Sequence, residues 1–219
     1  MEQIWIIGAG RFGKIGAQRL AAGHPHCCIT VVDSHPDRLN LFKDTDCRRI
    51  ESDGAAFLAD GLEETGPPDW IVPAVPVHLA WEWCRLKTET DALVPVTLPE
   101  TFDAHLPNPM RGNRFDFYTS AADFLCPDNC SEPEGYCTVT GEPRIPAMFD
   151  RIKALRFESY VPLVVQSQQL APGVGGYRPA DLFALLERIT QEVGPFLIAT
   201  SCRCHGVLTA VVKQPGQST

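Results

Sequence analysis

Two groups of residues in this chain have the types and spacing to do chemistry. The first is Gly8-Ala9-Gly10-Arg11-Phe12-Gly13, a G-x-G-x-x-G run that follows the apolar stretch QIWII and opens the amphipathic stretch RFGKIGAQRLAAG. In such a run the first glycine makes a tight turn, the second lets a pyrophosphate approach the backbone, and the third lets helix and strand pack closely. The free N–H groups of the helix start then face the anion. Asp33, twenty residues on from Gly13 and at the end of the apolar run CCITVV, is placed to accept hydrogen bonds from a ribose hydroxyl. Arg11 and Phe12 fill the variable positions of the run and lie beside the same ligand. A carboxylate at this place repels a 2′-phosphate, and Arg38 lies too far along the next helix to offset it, so the expected cofactor is NAD(H).

The second group is sulfur. Cys126, Cys130 and Cys137 occupy CPDNCSEPEGYC, a polar segment with nothing of a hydrophobic core about it, and Cys202, Cys204 and His205 occupy SCRCHG. Three chemistries suit such a set. A structural zinc would take Cys126, Cys130, Cys137 and one of Cys202, Cys204 or His205. An iron–sulfur cluster would draw on the same thiolates. A redox pair, such as Cys202 with Cys204, would need neither. The spacing matches neither the paired C-x2-C of zinc ribbons nor the C-x2-C-x2-C of ferredoxins, so a metal or cluster is indicated without its identity. Cys27, Cys28, Cys47 and Cys84 lie in or beside regular elements, where a free cysteine behaves as a small hydrophobe and belongs to the core.

These residues need a scaffold, and the pattern of the chain supplies one. Short apolar runs alternate with amphipathic stretches through DWIVPAV, PVHLAWEWCRLK and ALVPVTL, which predicts an α/β fold built on a doubly wound parallel sheet of the Rossmann type. Residues 1–98 form the expected NAD-binding part. The rhythm breaks over 99–148, a Cys/Pro-rich insertion. It resumes over 149–219 as βαβ elements continuing the sheet, ending in the tail KQPGQST, which is expected to fray. His78, just past Pro73 and Pro76 at the end of the fourth strand, is an acid or base candidate if it faces the cofactor; a surface position is the expected one. Gly173, Gly175 and Gly176 form a second glycine-rich turn before a helix starting near Pro179. Asp181 in its first turn disfavours phosphate there, which leaves a wide turn or a loop packed against the cysteines.

The passage IIGAGRFGKIGAQRLAAG…ITVVDSHPDRL resembles the nucleotide-binding N-terminal domain of the TrkA/RCK potassium-transport regulators. The resemblance covers about the first hundred residues. It implies a dinucleotide fold with Gly8, Gly10, Gly13 and Asp33 as cofactor residues. The fourth strand departs from it by running into VPAVPVHLAWEW instead of a polar turn, and the chain beyond residue 100 shares nothing with the regulators' ligand-binding domain.

A net charge of −8 without any basic tract argues against nucleic acid as a partner. There is no apolar run long enough for a membrane span, and MEQIWIIGAG lacks the basic start of a signal peptide, so a cytoplasmic protein with reduced thiols is expected. The partners these features call for are a dinucleotide and an unnamed small-molecule substrate or protein, with a homodimer as one arrangement. The leading expectation is an oxidoreductase-like or redox-sensing NAD-binding protein with a Cys-ligated metal or iron–sulfur site. The alternative is a non-catalytic, nucleotide-sensing regulator held together by structural zinc.

Overall fold

The computed structural model describes residues 1–24, 26–63, 66–88, 93–112 and 115–214; of the tail expected to fray, residues 215–219 lie outside them. The chain begins with β1 (Glu2–Ile7), α1 (Arg11–Gly23), β2 (Cys27–Asp33), α2 (Pro36–Leu39), β3 (Arg48–Glu51), α3 (Gly54–Gly61), β4 (Trp70–Pro73) and α4 (Leu79–Lys87). These strands form a parallel sheet in the order β3-β2-β1-β4. The α/β class is as expected. Because β4 lies on the opposite side of β1 from β2 and β3, the carboxyl ends of β1 and β4 part at a crevice, where sheets of this kind hold ligands.

The second half carries β5 (Leu93–Val96), β6 (Met110–Arg111), β7 (Asp116–Ser120), α5 (Met148–Lys153), β8 (Val161–Gln166), β9 (Gln168–Ala171), β10 (Val174–Gly176), α6 (Pro179–Gln191), β11 (Phe196–Ser201) and β12 (His205–Lys213). Here the expected continuation of the first sheet gives way to a separate one. β6, β7, β12, β11 and β8 are neighbours in that order, and β5 also pairs with β12. Only β8 and β11 run parallel; β5, β7 and β11 each meet β12 antiparallel. The reason lies in connection length. The turn between β11 and β12 spans only residues 202–204, which permits a hairpin but not a crossover to a parallel strand. β9 and β10 form a small hairpin of their own.

Side-chain alternation sorts the interior into layers. Ile4 and Ile6 of β1 face α1 and α2 with Leu20, Val31 and Phe42, whereas Ile7 faces α3, α4 and α6. In β11, Phe196 and Ile198 join that same central layer, and Leu197 and Ala199 point away to α5 with Phe117, Met148 and Ile152. The period of two in each strand thus places α3, α4 and α6 between two sheets. The two sheets share this core, anchored by the fully buried Trp83 and Tyr177.

Candidate functional site

The glycine loop is locked by its own backbone. Gly8 has φ +111, and a Cβ there would lie 2.4 Å from the Ala74 carbonyl oxygen; at Gly13 it would lie 1.9 Å from the Gly8 oxygen. Gly10 differs, because a Cβ on it would meet nothing within 4 Å. Two glycines are therefore required by packing, and the middle one opens onto free space at the start of α1. No side chain caps that helix start and its first turn holds no acid, so its N–H groups stay available to an anion.

Asp33 is tied to this loop. Its Oδ2 accepts from the Ala9 N–H at 2.8 Å, and its Oδ1 accepts from the His35 N–H at 2.9 Å. Burial works against the charge. The N–H groups of Ala9 and His35, the His35 ring and the nearby Arg38 outweigh it and hold the carboxyl below its ordinary range. Arg38 comes within 3.6 Å of Asp33 Oδ2, which corrects the expectation that it lies too far along the helix to matter. The short α2 helix turns its side chain back over β2.

The sulfur residues do converge. Cys126, Cys130, Cys137, Cys202, Cys204 and His205 all line one cavity of about 280 Å³, together with Phe12, Glu132 and Arg144. Cys126 Sγ lies 3.7 Å from His205 Nε2, and Cys202 Sγ lies 3.8 Å from His205 Nδ1. Among the described residues, however, no three His, Cys, Asp or Glu side chains close on a common point where a metal ion could be held. His205 shows why, since its two nitrogens face different thiols across the ring.

Several sulfurs nonetheless sit in turns that aim backbone N–H groups at them. Cys130 Sγ accepts from Glu132 at 3.4 Å, and Cys202 Sγ accepts from Cys204 at 3.5 Å and from His205 at 3.4 Å. The N–H groups of Thr140 and Val139 bring the Cys137 thiol down to about 7. Such donors stabilise thiolates, as they do around metal-bound sulfur. The Cys204 thiol is pushed up to about 11 by burial and by the Glu132 carboxylate; the same two causes raise Cys202 further. Glu132 itself is held by the Arg203 N–H at 2.7 Å.

The two candidate sites share a wall. Phe12, 63% exposed, extends from the glycine loop to line the sulfur cavity. Asp128, between Cys126 and Cys130, takes a hydrogen bond from Arg19 of α1 at 3.0 Å and lies 3.6 Å from Arg11. The second glycine turn packs against the cysteines as one of its two readings expected. Gly173 donates its N–H to the Cys130 carbonyl at 2.9 Å and has no room for a Cβ beside the Asp128 oxygen. The helix start near Pro179 is also as expected, with Asp181 accepting from the Arg178 N–H.

Other expectations need correcting. His78 is not at the surface: it is 2% exposed, and burial lowers its pKa to about 3. Its ring is held by Thr209 and Thr200 of the second sheet. Of the four cysteines assigned to the core, Cys84 is buried, Cys27 and Cys47 are half-buried and pack against the layer of Ile4 and Ile6, and Cys28 is half-buried. Glu132, Arg144, Thr200 and Thr209 went unrecognised. Isolated acids and bases in a polar loop, and threonines in a strand, carry no local signal of a site.

Residues 79–214 match the AF_1314_C family, described as "Uncharacterized protein, C-terminal domain". A relative from Archaeoglobus fulgidus, described as "Uncharacterized protein", is 29% identical over 223 residues, covering 95% of this chain and 98% of its own. The similarity thus spans both halves of the chain, the sulfur cavity included. The matched region runs from the start of α4 through β12, so the chain belongs to the family defined by this C-terminal domain.

Proposed function

We propose that this protein is a Rossmann-type NAD(H)-binding, redox-active or redox-sensing protein with a thiolate-bound metal or iron–sulfur centre beside the dinucleotide. The observation that carries this reading is the shared wall, with Phe12 of the glycine loop lining the cavity of the five thiols. Gly8, Gly10 and Gly13 would take the pyrophosphate on the uncapped start of α1, and Asp33 the ribose. Arg38 beside Asp33 makes NADPH the cofactor to test against NADH.

Cys126, Cys130, Cys137 and Cys204 are the ligands we favour. Cys126 interacts electrostatically with Cys130, Cys137 and Cys204. Cys202 is the weaker candidate, because burial and Glu132 keep it protonated. A bound iron–sulfur cluster would supply one-electron chemistry; zinc would supply only a staple. Arg144 lowers the cost of thiolate charge at Cys126 and Cys204.

The regulatory reading is favoured by a different observation. Asp128 is paired with both Arg11 and Arg19, so the thiol segment is fastened to the very helix whose start would bind the nucleotide. A ligand at Gly10 would then be felt directly by that segment. Oxygen-free purification separates the two. Iron with broad visible absorbance supports the redox centre, one colourless zinc supports the regulator, and a folded metal-free protein refutes both centres. Titration with NADH should saturate the native protein and fail for Gly10→Glu; equal binding by both refutes the dinucleotide assignment.

A further inference from the structure

A second cavity, of about 200 Å³, lies between the β4–α4 turn and the second sheet. Its floor is one rung of that sheet, where Tyr118 pairs with Val207 and Val207 with Thr200. Its roof is Val75 and Pro76, and Val75 is also the side chain nearest the missing Cβ of Gly8. The cavity therefore adjoins the dinucleotide cradle without belonging to the thiol pocket. No charged side chain lines it.

Beneath it runs a chain of hydrogen bonds whose directions can be worked out. Thr209 Oγ1 donates to Asp116 Oδ1 at 3.1 Å. A hydroxyl has one hydrogen, so toward His78 Nδ1, 2.8 Å away, Thr209 accepts, and the ring carries its proton on Nδ1. Burial keeps the imidazole neutral, so Nε2 is an acceptor. Thr200 Oγ1, 3.1 Å from Nε2, must then donate its own hydrogen to the ring. What Thr200 presents to the cavity is therefore oxygen lone pairs alone. Its polar neighbours there are the half-buried Tyr118, the His78 ring and Tyr177, whose buried hydroxyl has no hydrogen-bond partner among the described residues; the rest are apolar.

From this we infer that the cavity is a binding site for a small neutral molecule bearing a hydroxyl, which donates to Thr200 Oγ1. The apolar roof excludes a charged ligand, since an ion here would be desolvated with no counter-charge. A ketone of the same shape loses the bond to Thr200, which has no hydrogen left to give it, and keeps only the tyrosine hydroxyls as donors, which serve an alcohol equally well. His78 is a positioning residue: its ring lines the cavity, but both nitrogens are engaged by threonines, and by accepting the Thr200 hydrogen bond it decides which partner Thr200 accepts. The inference stands apart from the dinucleotide reading and is tested without any nucleotide present.

The probes are cyclohexanol, cyclohexanone and cyclohexanecarboxylate, titrated into the full-length protein and followed by NMR at Thr200, Tyr118 and the His78 ring nitrogens. Cyclohexanol should saturate and shift Nε2 of His78 more than Nδ1, and the ketone should bind at least about tenfold more weakly. Thr200→Val should abolish the preference for the alcohol, and Thr200→Ser should keep it. A purely structural His78 would give an unmoved Nε2 signal. Equal binding of alcohol and ketone, binding of the carboxylate, shifts confined to other residues, or no binding at all would each overturn the inference.

Discussion

The glycine loop and the thiol cavity are neighbours that share Phe12, yet they are assembled in opposite ways. The loop is made within six consecutive residues, and its geometry is enforced at van der Waals distance by Gly8, Gly13 and the Ala74 carbonyl. The cavity is made from segments 65 residues apart in the chain, held by a few polar contacts: Glu132 and Gly173 through single hydrogen bonds, and Asp128 through its bonds to Arg19 and its pairing with Arg11. Tight local packing resists change, whereas a site closed by a few polar contacts can be opened piecemeal. This difference ranks the following experiments.

The largest effect belongs to the loop. Gly13→Ala should cost at least about 3 kcal/mol in urea unfolding, because the new methyl meets a backbone oxygen that cannot step aside. Gly10→Ala should cost under about 1 kcal/mol, since it meets open space, while weakening NADH binding. Similar losses of stability at both positions would erase the distinction between packing glycine and ligand glycine.

The junction between the two halves comes next. His78 sits in the turn before α4 and bonds to two threonines of the second sheet. Its pKa is depressed to about 3 in the fold, so the unfolded chain takes up the proton first as pH falls. The stability it lends is complete above about pH 6.5 and is lost progressively towards pH 3, by roughly 4 kcal/mol over the window. Unfolding measured across that range should show the slope, and His78→Gln should flatten it. A slope unchanged in the variant would place the acid sensitivity elsewhere.

The polar clasp of the thiol segment should give a smaller change. Arg19→Ala removes hydrogen bonds to the Asp128 side chain and to the Pro172 carbonyl, for about 1–2 kcal/mol. Its signature is faster amide exchange over 126–137 with the first sheet unaffected. The smallest effect is on reactivity alone. In metal-free protein at neutral pH, Cys137, near 7, should be alkylated about tenfold or more faster than Cys202, whose thiol is held protonated by burial and Glu132. Peptide mapping after brief iodoacetamide treatment reads the order directly.

What the sequence disclosed follows the same division. The parallel strands, the glycine loop and the place of Asp33 were legible because each depends on residues close together in the chain. The second sheet was not. β7 lies in a stretch dense with proline and cysteine, and β5 has the same apolar pattern whichever sheet it joins. The grouping of the thiols could be anticipated from their polar surroundings, since cysteines there have no core to fill. The roles of Glu132 and Arg144 could not, because a lone charge in a loop looks the same whether it faces a thiol or water. Thr200 and Thr209 are ordinary strand residues by type. Only the pairing of β11 with β12 brings them to His78 from 122 and 131 residues away.

The central claim is that dinucleotide and thiol segment meet at one wall, and amide hydrogen exchange with and without NADH tests it most directly. Our account predicts slowed exchange at residues 8–14 and, in the same titration, at 126–130 and 173–175, with both effects absent in Gly10→Glu. Protection confined to the glycine loop, or none in either segment, would contradict it.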